Sequence, residues 1–212
     1  GVLFNQCPHQ LDLISWVTGM MPTAVRSFCN FGRFHDIEVE DDVTAYLEYA
    51  NGANGVFITT TGEFPGTNRF EIAGTKGKLV CENDKLMMTK VTPDMREFTK
   101  TANSAFALPE KETSEVETDG VNLQHVGICR NITNAILGKE PLFVDGKEGI
   151  NGVELMDAML LSTWLDKKVA IPIDDELYYN ELKKRIDVSR RKDNVIDTVA
   201  DTEDTYGSKV KR

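Results

Sequence analysis

The 212-residue sequence is short of the residues that build metal and disulfide frameworks: it has three histidines and four cysteines, and no two cysteines form a C-x-x-C pair. Closely spaced zinc ligands are therefore missing, and no metal site is expected. Cys7, Cys29, Cys81 and Cys129 read instead as reduced thiols of a cytoplasmic protein. No apolar run approaches the roughly 18–20 residues of a membrane span. No basic stretch followed by an apolar one marks a secretory leader. Basic residues are the minority, 24 Lys and Arg against 34 Asp and Glu, for a net charge of −10. That balance excludes the broad basic face that nucleic acid requires and disfavours an anionic membrane surface. Also lacking is a G-x-G-x-x-G turn after a strand, the loop that cradles a dinucleotide pyrophosphate.

What is present has the texture of an ordinary globular domain, with 41% hydrophobic and 27% charged residues. The spacing predicts a helix from Asn5, a candidate N-cap, through Pro8 in the first turn to Gly19 after the end, with Leu11, Ile14, Trp16 and Val17 as its apolar face. Strands follow. Residues 23–34 lack a helical period. Residues 43–49 alternate, with Val43, Ala45, Leu47 and Tyr49 on one face and Thr44, Tyr46 and Glu48 on the other. An Asn-Gly-bearing turn over 50–55 leads to a returning strand at 56–61, which makes a hairpin. Further strands are expected at 69–73, 78–82, 85–90 and 97–101, and a polar surface loop at 102–120. Helical periodicity returns at 121–137, 147–167 and 174–188. Helix, then sequential strands, then helices imply an α+β domain: a large, mostly antiparallel open-faced sheet with helices packed on one face. The domain occupies 1–188, and 189–212 reads as a polar, flexible tail. The acidic run 36–42 reads as a solvated loop, and Trp16 and Trp164 as core.

The opening run, Gly1-Val-Leu-Phe-Asn5-Gln6-Cys7-Pro8-His9-Gln10-Leu11-Asp12, carries the chemistry. On one helix, Asn5, His9 and Asp12 at i, i+4 and i+7 share a face. An amide, an imidazole and a carboxylate so placed can form a catalytic edge, and a chain that begins on such an edge reads as part of a longer protein. His9 lies near the positive end of the helix dipole, which favours the neutral imidazole that a general base needs. Asn5 can orient it by hydrogen bonding without adding charge, and Asp12 can support it. Gln6 can hydrogen-bond a ligand. The loop 61–69 offers Glu63, Asn68 and Arg69 as polar ligand contacts. Arg33 and His35 make a weaker case at the end of an earlier strand, and His125 reads as a capping or exposed histidine.

Taken together, four stretches make the sequence resemble the C-terminal domain of the Gfo/Idh/MocA oxidoreductases. These are residues 1–19, the hairpin 43–61, the run Phe70-Glu-Ile-Ala-Gly-Thr-Lys-Gly-Lys-Leu-Val80, and residues 132–162 with Asn134-Ala-Ile-Leu-Gly138. The resemblance implies an NAD(P)-dependent dehydrogenase acting on a sugar, polyol or related hydroxy compound by hydride transfer. Within it, His9 matches the family's catalytic histidine and Asn5 stands where an aspartate is commoner. The dinucleotide-binding domain is not in this chain, so no NAD or NADP is expected to bind the fragment alone, and the fragment alone is expected to be inactive. The open sheet face is implied as a homo-oligomer interface. The alternative is a non-catalytic ligand-binding or assembly module that kept the fold, a reading that Asn5 favours.

Overall fold

The computed structural model describes residues 1–190. The opening helical run is two helices, α1 (Val2–Gln6) and α2 (Pro8–Thr18). Pro8 has no N–H to give to the preceding turn, so the chain breaks at Cys7, and Pro8 occupies the first turn of α2, where its missing donor costs nothing. Asn5 therefore lies inside α1 and is not an N-cap. Gly19 ends α2 in the left-handed conformation at φ 64°, as the sequence suggested.

The first sheet has the order β3-β2-β1-β8, from β1 (Ala24–Phe31), β2 (Glu40–Glu48), β3 (Asn54–Thr60) and β8 (Val169–Ala170). All its pairings are antiparallel. The alternation in β2 is realised: Val43, Ala45 and Leu47 point into the core, at most 1% exposed. α1 and α5 (Gly149–Trp164) cover that face, and α2 packs against α5. α5 is buried around most of its circumference, with Leu155, Met156, Met159 and Leu161 in the core, because it lies between the sheet, α2 and α6 (Asp175–Ile186). Asp174 caps α6 by accepting the Leu177 N–H at 2.9 Å.

α5 also seals a sheet edge. β8 pairs only with Ala24 and Val25, which leaves the outer N–H groups of β1 beyond them without a strand partner. Ser162 Oγ accepts from Ser27 N–H and Thr163 Oγ1 accepts from Cys29 N–H, both at 3.0 Å. A strand edge that would otherwise invite another chain is closed by two hydroxyls on a helix.

The second sheet is a meander, β4 (Arg69–Gly74), β5 (Gly77–Glu82), β6 (Lys85–Thr92) and β7 (Glu110–Glu115). The α+β class with open antiparallel sheets thus holds, with the strands divided between two four-stranded sheets. Residues 97–101 were expected as a strand but belong to a helix, α3 (Met95–Thr101), because Asp94 caps it by accepting the Arg96 N–H at 2.8 Å. β7 falls in the expected loop. It is a fully exposed edge strand of sequence EKETSE, whose charges erase the apolar alternation by which a strand is recognised. α4 (Gln124–Ile136) follows, and Asn131 ties it to the segment after it, accepting the Phe143 N–H at 2.8 Å.

Trp16 is 62% exposed and is not core. α2 packs through Leu11 and Ile14 and leaves Leu13, Trp16 and Val17 outside. Trp164 does pack against the core, stacked on Tyr178 with ring centroids 5.5 Å apart and with the Arg185 guanidinium 4.2 Å from its ring centroid. The expected tail begins at Ser189. Ser189 and Arg190 both hydrogen-bond the Glu38 carboxylate, and residues 191–212 lie outside the described residues.

Candidate functional site

In an antiparallel sheet, the end of β1, the start of β2 and the end of β3 meet along one rim. Here that rim also holds the start of α1 and the α1–α2 joint. Glu40, 3% exposed, accepts the Leu3 N–H at 3.0 Å and so caps α1 from a distant part of the chain. A Cβ on Gly1 would lie 2.0 Å from the Glu40 carboxylate, so a larger residue there would have to displace that side chain. At the joint, Cys7 Sγ is 3.1 Å from Thr59 Oγ1 on β3. Burial pushes the Cys7 thiol up, and it pushes Cys29 up to about 11. Both are core groups with little thiolate at neutral pH. Cys81 and Cys129 are exposed free thiols.

Leu3, Cys7 and Leu11 face the core, and Asn5, Gln6, His9 and Asp12 face away from it. The structure exposes all four, Asn5 and Gln6 on α1 and His9 and Asp12 on α2, so the single helix face expected for Asn5, His9 and Asp12 is divided by the break at Cys7. Among the described residues, none of the four hydrogen-bonds another. Glu63 lies on the loop that leaves β3 and accepts from Thr67 Oγ1 at 3.0 Å, and Asn68 is exposed on the same loop. Arg69 already opens the second sheet. Its guanidinium is shared between Glu71 and Glu82, the latter at 2.6 Å, and those carboxylates hold it more firmly protonated than usual. The structure makes no direct contact between Arg69 and the helix joint.

The best-organised polar group on this rim is one the sequence reading passed over as part of a solvated loop. Asp41 is 1% exposed. Its carboxylate accepts the N–H groups of Arg33 at 3.0 Å, Phe34 at 2.7 Å and His35 at 3.1 Å, and it lies 3.2 Å from His35 Nδ1. Its own carbonyl accepts the Thr61 N–H at 2.9 Å. Asp41 thereby locks the loop 32–39 to the start of the loop 61–68. Burial alone would raise its pKa, but the N–H groups of Phe34, Arg33 and His35 and the His35 ring outweigh burial and hold the carboxyl down at about 2. The period-2 pattern of β2 does not announce it, because the ladder to β1 is irregular between Asp42 and Glu40 and the adjacent Glu40 and Asp41 are both buried. Asp42 points the other way and pairs with Arg33 at 2.8 Å and Asn30 at 2.7 Å.

The depressed pKa has a stability consequence of definite sign. A carboxyl whose folded value lies below its unfolded value of about 3.8 stabilises the fold above that value, and the contribution is lost as pH falls toward about 2. Denaturant midpoints should therefore fall between pH 4 and 2 more steeply for the wild-type protein than for Asp41→Asn. Parallel curves would contradict the assignment.

Comparison with known proteins matches this architecture. Residues 1–80 match the family model described as the GFO/IDH/MocA C-terminal domain. The chain resembles that domain in fold as well as in sequence. The WlbA dehydrogenase from Bordetella pertussis, solved in complex with NADH and UDP-GlcNAcA, aligns at 23% identity and TM-score 0.58 over 82% of this chain and 46% of its own. Levoglucosan dehydrogenase, solved with NADH and levoglucosan, aligns at 18% identity and TM-score 0.61 over 82% of this chain and 51% of its own. Aldose-aldose oxidoreductase from Caulobacter crescentus, complexed with glycerol, aligns at 16% identity and TM-score 0.63 over 81% and 48%. No curated protein sequence matches the chain. The chain spans about half the length of these solved dehydrogenases.

Every strand pairing among the described residues is antiparallel, and no glycine-rich turn leads from a parallel strand into a helix. Nor, among the described residues, do three or more His, Cys, Asp or Glu side chains gather where they could hold a metal ion. No described helix is long and apolar enough to cross a membrane.

Proposed function

We propose that this chain is the substrate-side domain of a cytoplasmic NAD(P)-dependent dehydrogenase acting on a sugar, polyol or related hydroxy compound. The observation that carries the reading is the Gfo/Idh/MocA C-terminal fold extending over about half the length of dehydrogenases solved with NADH and sugar ligands. In this reading the dinucleotide is held by a part of the protein beyond this chain and supplies the hydride acceptor when bound. This chain's own residues handle the hydroxyl. His9, exposed in the first turn of α2, takes its proton. Asn5 orients the imidazole when substrate and the missing domain close over the helix pair. Gln6, Glu63, Asn68 and Arg69 contact the remaining hydroxyls, with Arg69 the weakest of them because two carboxylates already occupy it.

The same reading assigns the outer face of the first sheet to a homo-oligomer. Phe28, Tyr46, Val56 and Ile58 are 43–68% exposed there, on adjacent strands. One comparison tests both parts. Titration with NADH and NADPH should show binding to the full-length protein and none to residues 1–212, and light scattering should find the full-length protein oligomeric. Dinucleotide binding by residues 1–212, or a monomeric full-length protein, would contradict the corresponding part.

A further inference from the structure

Two adjacent buried carboxylates of β2 hold parts of this rim, and the proposed reaction uses neither. Asp41 serves the loops, as described above. Glu40 serves the helix pair, and the strand is distorted to bring it there. Asn30 of β1 pairs with Asp42 and Phe31 with Glu40, so Asp41 is the extra residue of a bulge. Regular alternation from the inward-facing Val43 would put Glu40 on the outer face. The bulge turns it inward instead, and it is 3% exposed. Both carboxylate oxygens lie against the Gly1 backbone, within 2.1 Å of where a Cβ would stand, and Oε1 accepts the Leu3 N–H at 3.0 Å. Among the described residues no Lys or Arg side chain pairs with Glu40, whose ion-pair contact is the Gly1 nitrogen at 3.9 Å. Burying a carboxylate without a basic side chain costs stability, so stability alone does not account for a glutamate here.

What the carboxylate holds is the first point of a two-point attachment. The second is one strand over, where Thr59 Oγ1 on β3 lies 3.1 Å from Cys7 Sγ. Cys7 is the joint itself: its N–H donates to the Leu3 carbonyl at 3.3 Å, and its carbonyl accepts the Leu11 N–H at 3.1 Å. Glu40 thus fixes the start of α1 and Thr59 the start of α2, from two strands paired directly, with Val43 opposite Thr59. Asn5 and Gln6 lie between the two attachments, and His9 lies just past the second. None of these three side chains has a hydrogen bond of its own among the described residues. Their placement depends on the backbone that carries them, and a misplacement of about 1 Å at a reacting group can cost about 10²-fold in rate.

We propose that Glu40, with Thr59, is a positioning residue for the acid–base chemistry assigned to His9: the two side chains hold the joint between α1 and α2 on the sheet, and through it set where Asn5 and His9 meet the substrate hydroxyl. The role rests on the dehydrogenase reading above and extends it to residues that touch neither substrate nor dinucleotide.

Three measurements on the full-length protein test it. Glu40→Ala should lower kcat about 10–100-fold and leave dinucleotide affinity unchanged. Glu40→Gln, whose amide oxygen still accepts the Leu3 N–H, should stay within about threefold of wild type. An unchanged kcat in Glu40→Ala overturns the role. The second measurement is a double-mutant cycle. In a His9→Ala background, Glu40→Ala should cost less than about threefold more, because a residue acting through His9 has nothing left to position. A further loss as large as in the wild-type background is general structural damage and overturns the role. If Glu40→Ala does not fold, Thr59→Val, which keeps the shape and removes the hydroxyl, carries the same cycle with a loss of about threefold to tenfold. The third measurement needs no substrate. In Glu40→Ala, amide hydrogen exchange at Asn5, Cys7 and Leu11 should speed up at least about tenfold and stay unchanged in the β2–β3 ladder. Unchanged exchange at the joint, or acceleration throughout the domain, overturns the proposal. The parent reading fails separately: full turnover in His9→Ala, or no turnover of any substrate, removes the acid–base assignment, and the exchange measurement then decides whether Glu40 holds the joint.

Discussion

Replacing His9 by alanine in the full-length protein should lower kcat by about 10²–10⁴-fold while leaving dinucleotide affinity unchanged. The size follows from the role: a positioned base that removes the hydroxyl proton contributes that much, and water does not replace it at the same geometry. Such a loss could not be ascribed to unfolding. His9 is exposed, it makes no hydrogen bond among the described residues, and surface substitutions of that kind stay within about 0.5 kcal/mol. A thermal melt beside the kinetics separates the two explanations. Full turnover in the variant, with an unchanged melt, would remove His9 from the mechanism.

Leu155→Ala should be the most damaging single truncation of the core, at about 2–5 kcal/mol. Leu155 has no solvent exposure and lies in α5, the helix packed against the first sheet, α2 and α6 at once. The surrounding elements are tied by the sheet and by the Ser162 and Thr163 hydroxyls, so they have little freedom to collapse into the space. For a chain of this size that cost corresponds to a fall of about 5–20 °C in Tm. Ile186→Ala, at a site 60% exposed near the end of α6, serves as the reference and should stay within about 0.5 kcal/mol. Equal melts for the two variants would mean that α5 is not the centre of the core.

Much of this architecture is legible in the residues because local and tertiary preferences agree. The alternation of Val43, Ala45 and Leu47, the Asn-Gly turn after it and the glycine at the end of α2 each favour the structure they adopt. The readings that missed did so where another force decides. Residues 97–101 have β-compatible composition, but the Asp94 cap starts a helix just before them. β7 is held by its ladder to β6, and a charged edge strand has no apolar pattern to read. Trp16 is apolar on an amphipathic helix, yet the partner it would need is not among the described residues.

The rim where the candidate site lies shows the same division. Asn5, Gln6 and His9 stand out as residue types at helical spacing. Glu40 and Asp41 do not, since an acidic run gives no sign that two of its members turn inward to hold N–H groups of α1 and of the loop 32–39. Their partners lie elsewhere in the chain, and only the folded sheet brings the helix start, the two loops and the carboxylates to one place.

The most direct test is a turnover screen of the full-length protein with NAD and NADP against sugars, inositols and sugar acids, with His9→Ala alongside. Substrate-dependent reduction of a dinucleotide, lost in the variant while dinucleotide binding persists, is the expected result. Dinucleotide binding without turnover of any substrate would contradict the dehydrogenase reading and leave a binding or assembly module, with Asn5 in place of the family's commoner aspartate as the residue to change first.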